Sequence, residues 1–353
     1  MQVIPPIEIT DARLTSSAVP EEIAATYDGA TAYAVGDLVG IATAYGVAQD
    51  VWRSLQAANT GNALVEGAFW AFAGDVYPIY ASGSSAALGA YVTDLATHSL
   101  YESLAAGNTG NALTDETKWK YVGKTNRFRL FDYTRSDQTV SGLSLTAVIT
   151  PGKRINSIGL KGILANAYAI TVTSVLGGGT VYSASGSLNT RETVTWSDYF
   201  FGEFSTQKSL VFFDVPPLSD SIITITMTAT SGSTKLGAAV FGSFVYLGVT
   251  LNSPSSDILN FSTIARDTDG NAILTARRNV PKSRQTVVAE KANVNKIRGL
   301  RDYLNAVPAL WYGLSDATDG YFESVSILGI YKAFEINVEN HGEAIVNLEL
   351  EEV

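Results

Sequence analysis

A mainly β chain is predicted: two small tandem β modules, an antiparallel β-sandwich or jelly roll, and a C-terminal α+β part with one main helix. Three observations lead there. A block of aromatic and turn residues occurs twice near the N-terminus. Short runs rich in Thr, Val and Ile alternate in polarity and stop at Gly- and Pro-containing turns through the middle of the chain. A useful helical period is confined to the last third, near residue 300. The expected units are an N-terminal extension (1–23), repeat 1 (24–74), repeat 2 (75–124), the sandwich (125–250) and an α+β assembly domain (251–353).

The duplication is read directly. Val51-Trp-Arg-Ser-Leu-Gln-Ala-Ala-Asn-Thr-Gly-Asn-Ala-Leu64 recurs as Leu100-Tyr-Glu-Ser-Leu-Ala-Ala-Gly-Asn-Thr-Gly-Asn-Ala-Leu113, an offset of 49 that also takes Trp70 to Trp119. Upstream, Gly36-Asp-Leu-Val39 maps to Gly89-Ala-Tyr-Val92 at an offset of 53, so the second copy lacks four residues between the blocks. A hairpin loop tolerates such a change because loop closure costs little while strand register is fixed. Each copy reads as a strand through Gly36–Val39, a strand through Val51–Leu55, an Asn-Thr-Gly-Asn turn and a closing Trp. Units of this size have little interior, and large aromatics burying roughly 150–250 Å² each are one way to supply it.

In the middle of the chain, strands are expected at Ser144–Ile149, Ala169–Val175, Ser209–Phe213 and Ile222–Thr228, ended by Pro151-Gly152, Gly177–Gly179, Pro216-Pro217 and a Ser-Gly-Ser turn. No helical segment of useful length is expected there. Further on, Phe261–Arg266 and Ile273–Arg278 flank Asp267-Thr-Asp-Gly-Asn271, a hairpin signal. A strand at Thr286–Ala289 precedes a helix N-capped by Asn293 and running through Leu304, with Val294, Ile297, Leu300 and Leu304 on its apolar face. Pro308 fits a helix that has already ended. Strands near Ala309–Gly313, Ser324–Ile330 and Ile345–Leu350 complete the chain.

Composition narrows the chemistry. There is no Cys and there are only 2 His, which excludes thiol catalysis, disulfides and Cys-based metal sites. Acidic residues outnumber basic ones, 34 to 24, against the basic surplus of a general nucleic-acid binder. The charge is uneven: residues 1–124 hold 5 basic and 13 acidic side chains, a net of -8, whereas 125–250 carry +2 and 251–353 carry -4. No signal-peptide pattern or membrane-length apolar run is present. His98 and His341 stand outside any metal-binding spacing, and no nucleophile elbow, Walker loop or zinc-protease motif occurs. Asp267-x-Asp-Gly-Asn271 imitates the start of a calcium loop, but Ile273 and Leu274 follow where ligands are needed, so a turn is expected. Gly177–Gly179 opens no helix and reads as a β-turn. Catalysis, cofactors and bound metal are therefore not expected.

The order Tyr33, Gly36-Asp37, Val39, Trp52, Asn59-Thr-Gly-Asn62 and Trp70 resembles the small chitin-binding-like carbohydrate modules of the family 5/12 type. The second copy departs from that pattern, with Ala86 and Ala90 in place of Tyr33 and Asp37, and Tyr101 in place of Trp52. Leu64 and Leu113 stand where that family commonly has Pro. The resemblance implies sugar faces stacked on aromatic rings, with amides directing hydrogen bonds: Tyr33, Trp52, Asn59, Asn62, Tyr101, Asn108 and Asn111. The competing role for the same rings is core, preferred for Trp70 and Trp119 and level with stacking for Trp52, Tyr33 and Tyr101.

The repeats run into Lys124-Thr-Asn-Arg-Phe-Arg-Leu-Phe-Asp132, the β-rich middle, and an end carrying Pro308-Ala-Leu-Trp-Tyr-Gly313 and Leu328-Gly-Ile-Tyr-Lys-Ala-Phe334. This order resembles tail proteins of tailed bacteriophages, in which carbohydrate-module-like repeats precede a β-rich body. The resemblance implies a virion structural protein of the tail tip, baseplate or fibre-bearing collar, assembled in the host cytoplasm. It would form a trimer or hexamer with itself and contact other tail proteins. The acidic repeats are expected to project outward, onto a host glycan or a neighbouring tail protein. A carbohydrate-binding protein outside any virion is the alternative, and a glycosidase with a carboxylate pair a more distant one.

Overall fold

The computed structural model describes residues 1–133, 137–191, 195–251, 254–316, 319, 321–338 and 342–353. His341 lies outside them. The chain is mainly β, and among the described residues its strands pair antiparallel apart from the short parallel pair Ala25–Thr26 and Leu38–Gly40.

The sandwich is present. One sheet orders its strands as Gly179–Ser187, Ala167–Ser174, Ser221–Thr228, Ser144–Ile149 and Leu14–Ser17; the other as Thr139–Ser141, Thr234–Gly242, Ser157–Leu164 and Ser209–Phe212. Period-2 alternation sends Leu145, Ala147 and Ile149 inward to meet Ile158, Leu160 and Phe241 of the facing sheet. Three of its long strands, Ser157–Leu164, Gly179–Ser187 and Thr234–Gly242, are absent from the sequence-based assignment. Thr234–Gly242 is buried along almost its whole length, with Leu236, Ala239 and Phe241 in the sandwich core and Ala238 and Val240 in a second core behind it. A strand buried on both faces loses its alternation, so its periodic signal vanishes.

That second core joins the sandwich to an eight-stranded C-terminal sheet. The strand Ala309–Tyr312 is central to it: Ala309 and Trp311 point to one face, Leu310 and Tyr312 to the other. Leu310, Tyr312 and Leu328 pack on Ala238 and Val240 of the sandwich. The approach is so close that a Cβ at Gly159 would collide with Leu310. The opposite face is covered by helix α2 (Val294–Tyr303), which buries Ile297, Leu300 and Leu304 against Val3, Trp311 and Val346. Asn293 does not cap α2 as expected. A 3-10 turn over Lys291–Asn293 feeds the helix, so Asn293 already has helical angles (φ -94°, ψ -13°) and its side chain makes no capping bond.

The first 23 residues are no appendage. Gln2–Ile4 pairs with Ala309–Tyr312 and with Val245–Tyr246, and Leu14–Ser17 pairs with Ser144–Ile149, so the segment straps both large sheets together. The repeats form a four-stranded sheet containing Leu38–Gly40, Gln49–Ser54 and Trp70–Val76, and a three-stranded sheet of Tyr91–Asp94, Ser99–Ser103 and Trp119–Lys124. Their registers coincide: Val39 opposes Trp52 and Val92 opposes Tyr101, while Ser54 opposes Trp70 and Ser103 opposes Trp119.

Candidate functional site

The Asn-Thr-Gly-Asn turn is the organising feature of each repeat, and its amides work inward. Asn59 Nδ2 donates to Ser54 Oγ (3.2 Å) and to the Phe69 carbonyl (3.0 Å), and Asn59 Oδ1 accepts from Asn62 Nδ2 (2.8 Å). Asn108 and Asn111 repeat the pattern, donating to Ser103 Oγ at 3.1 Å, the Lys118 carbonyl at 2.9 Å and Asn108 Oδ1 at 2.7 Å. Asn59 and Asn108 are only 2% and 3% exposed. The closing indoles bond the same turn: Trp70 Nε1 donates to the Asn62 carbonyl and Trp119 Nε1 to the Asn111 carbonyl, both at 3.0 Å. Trp70 and Trp119 are buried, the role preferred for them. Tyr27 and Tyr80, a pair sequence reading passed over, donate to the same two carbonyls and meet the indoles edge-on.

Tyr33 belongs to this internal cluster in repeat 1. It stacks on Tyr27 (5.9 Å), packs on Trp70 (5.4 Å), and its hydroxyl accepts from the Asp28 backbone N–H (2.8 Å). Repeat 2 has Ala86 there, and the vacancy is filled from the other copy. Tyr45, in the loop that repeat 2 lacks, reaches across to the cluster of Ala86, Ala90, Val92 and Trp119. Its hydroxyl accepts from the Ala81 N–H (3.0 Å), the equivalent of the bond Tyr33 makes in repeat 1. Gly46 adds a backbone bond, its carbonyl accepting from the Tyr91 N–H at 2.9 Å. The shortened loop, Ala86 and Ala90 are thus one coupled change rather than three departures.

What remains on the surface is a duplicated aromatic pair. Trp52 meets Phe72 across the strands at 5.4 Å, and Tyr101 meets Tyr121 at 5.8 Å, all at equivalent positions. Trp52, Phe72 and Tyr101 are half-buried, and Tyr121 is 55% exposed. Of the seven candidate residues, Asn59 and Asn108 are buried, and Tyr33, Asn62 and Asn111 are half-buried with their polar groups bonded within repeat 1 or repeat 2. Trp52 and Tyr101 are half-buried in the cross-strand pairs, Tyr101 also packing on the repeat 2 core.

The repeats are braced against the body rather than hung from it. His98, at the tip of the Tyr91–Ser103 hairpin, stacks on Phe128 at 3.7 Å, and its Nδ1 lies 2.9 Å from Glu21 Oε1. Thr125 Oγ1 donates to the same oxygen at 2.6 Å. Repeat 1 is tied down by Glu66, which accepts from the Phe72 and Leu143 N–H groups, and by Asn126, which bonds Asp75 and Val140. Between the N-terminal strap, the His98 turn and the end of α2 lies a cavity of about 650 Å³, bordered by Asp11, His98, Phe128, Tyr133 and Tyr303. Among the described residues no group of three His, Asp or Glu side chains is placed to hold a metal ion. The Asp267 carboxylate accepts from the Asp269 and Asn271 N–H groups and from Asn271 Nδ2, a closed turn.

Two protrusions carry exposed apolar surface. The first is a prong built on the six-residue helix α1 (Trp196–Phe201), where no helix was expected; a Thr195–Asp198 capping box starts it. Trp196, Tyr199, Phe200, Phe201 and Phe204 are 57–84% exposed, and Arg191 lies over the Phe204 ring at 4.2 Å. The second is an arm, the hairpin of Thr263–Arg266 and Ala272–Thr275, with Phe261, Ile264, Ile273 and Leu274 54–73% exposed. Soluble monomers rarely leave contiguous patches of this kind uncovered. No described helix is long and apolar enough to cross a membrane. No protein-family model matches the chain, and no curated protein matches it either.

Proposed function

We propose that this chain is a structural protein of a bacteriophage tail that assembles with itself, its braced repeats facing a neighbouring tail protein or a host glycan. The observation that carries the reading is the pair of protrusions on which exposed apolar side chains cluster, five rings on the prong and four apolar residues on the arm. The order of repeats, sandwich and α+β end supports placing that assembly in a tail. The test is to follow the purified chain into tail particles: a defined, stoichiometric ring in a particle reconstruction is expected, and exclusion of the chain from tails contradicts the proposal.

The duplicated pairs Trp52–Phe72 and Tyr101–Tyr121 favour a second reading, glycan contact by the repeats. Each pair meets edge to face and so offers a ring edge and a ring face, on which an apolar sugar face can stack. The expected outcome is glycan-array binding by the full chain that is lost in Trp52→Ala with its thermal transition retained. Absence of binding across a broad array leaves the repeats as architecture.

A further inference from the structure

We infer that the arm of one copy of this chain packs on the aromatic prong of the next, closing the copies head-to-tail into a ring. The inference rests on the self-assembly reading above and names its two surfaces. The arm is a two-stranded sheet joined to no other strand among the described residues, and every residue of both strands is exposed. Its register sets Ile264 opposite Leu274 and Ala265 opposite Ile273, so apolar side chains stand on both faces. A free two-stranded hairpin is marginal in water, and one that is apolar on both faces needs cover. The prong shows the complementary excess. Its rings pack on one another, Tyr199 on Phe200 at 5.1 Å and Trp196 on Phe200 at 6.5 Å, and no residue of α1 is buried.

The occupant is a second copy on three grounds. The first is area. Five rings, each more than half exposed, offer roughly 500–800 Å² at about 150–250 Å² per ring, close to the ~800 Å² that each partner contributes to a standard interface. The second is symmetry. An isologous dimer uses one patch twice, whereas a head-to-tail contact uses two unlike patches and closes into a ring; this chain carries two unlike patches. The third is chemistry. The prong is purely aromatic and the arm mostly aliphatic, a pairing of rings with Ile and Leu that packs well. A lipid surface fits less well: Arg191 and Lys208 near the prong are matched by Asp198 and Glu203, and the chain has a net charge of -10, without the basic ring that anionic headgroups attract.

The experiment uses three full-length proteins in sedimentation velocity at micromolar concentration: wild type, an arm variant (Ile264→Asp with Leu274→Asp) and a prong variant (Trp196→Ser with Phe201→Asp). Because the substituted residues are exposed, all three should share one thermal transition. The wild type should sediment as a closed oligomer, and each variant should lose the oligomer boundary. An equimolar mixture of the variants should recover a species of one copy of each, since one intact arm and one intact prong remain between them. Variants that assemble like wild type overturn the inference while leaving self-assembly standing on another surface. Failure of the mixture to recover a dimer overturns the pairing of arm with prong. A monomeric wild type that floats with phosphatidylcholine vesicles overturns it in favour of lipid.

Discussion

At the residue scale, the two repeats differ by an exchange of one tyrosine. Repeat 1 supplies its own Tyr33, whereas repeat 2 borrows Tyr45, and both hydroxyls accept the equivalent backbone N–H. Tyr45 and Ala86 should therefore be strongly coupled. Tyr45→Ala should cost about 1–3 kcal/mol by opening a cavity at a half-buried aromatic, and adding Ala86→Tyr to it should restore a large part. Chemical denaturation of the two single variants and the double variant measures this; additive effects would count against the exchange. Acid should act on the arm tip. The Asn271 side chain and the N–H groups of Asn271 and Asp269 hold the Asp267 carboxyl below its ordinary value. A depressed folded-state pKa means the turn's contribution is complete above the ordinary carboxylate range and is lost as pH falls through the folded value. Amide protection at Asp269–Asn271, measured against the unstructured exchange rate at each pH, should therefore fall in acid, and that loss should be absent in Asp267→Asn.

At the element scale, the hairpin tip at His98 is what fastens repeat 2 to the body. His98 adopts φ 51°, an orientation a non-glycine residue takes up at a cost, and the ring it aims lies flat on Phe128 and against Glu21. Removing the ring leaves the buried Glu21 carboxylate with Thr125 as its remaining side-chain partner, at a cost of about 1–3 kcal/mol. His98→Asn, which tolerates the same backbone, should lower the thermal midpoint and expose the Leu95–Lys124 side to limited proteolysis; an unchanged digestion pattern would argue against this clamp. The elements also show what a sequence can disclose. Ser144–Ile149 was legible to the residue because one face is core and the other is not. Thr234–Gly242 was not, since both of its faces are covered. Helix α1 was invisible for a different reason: six exposed residues have no buried face, hence no period. In the candidate site the duplication and its aromatic positions could be read from spacing, and the inward role of Asn59 and Asn108 could not. Their amides bond carbonyls and hydroxyls of residues five and ten positions away, and composition carries no sign of which way a turn amide points.

At the scale of the whole molecule, the N-terminal strap, the second core and the braced repeats join the β units, and the prong and arm are where exposed large apolar side chains cluster. Net charge concentrated on residues 1–124 keeps that part hydrated, which favours association through the less charged residues 125–353. The sequence places these apolar residues but not their exposure, because Trp, Phe and Ile in short runs are as compatible with core as with contact. Self-assembly is the central claim, and the molar mass of the purified full-length chain in solution tests it most directly. At micromolar concentration, light scattering coupled to size exclusion should return a trimer or hexamer of the 37.5 kDa chain; a single species at 37.5 kDa, unchanged on concentration, would contradict it.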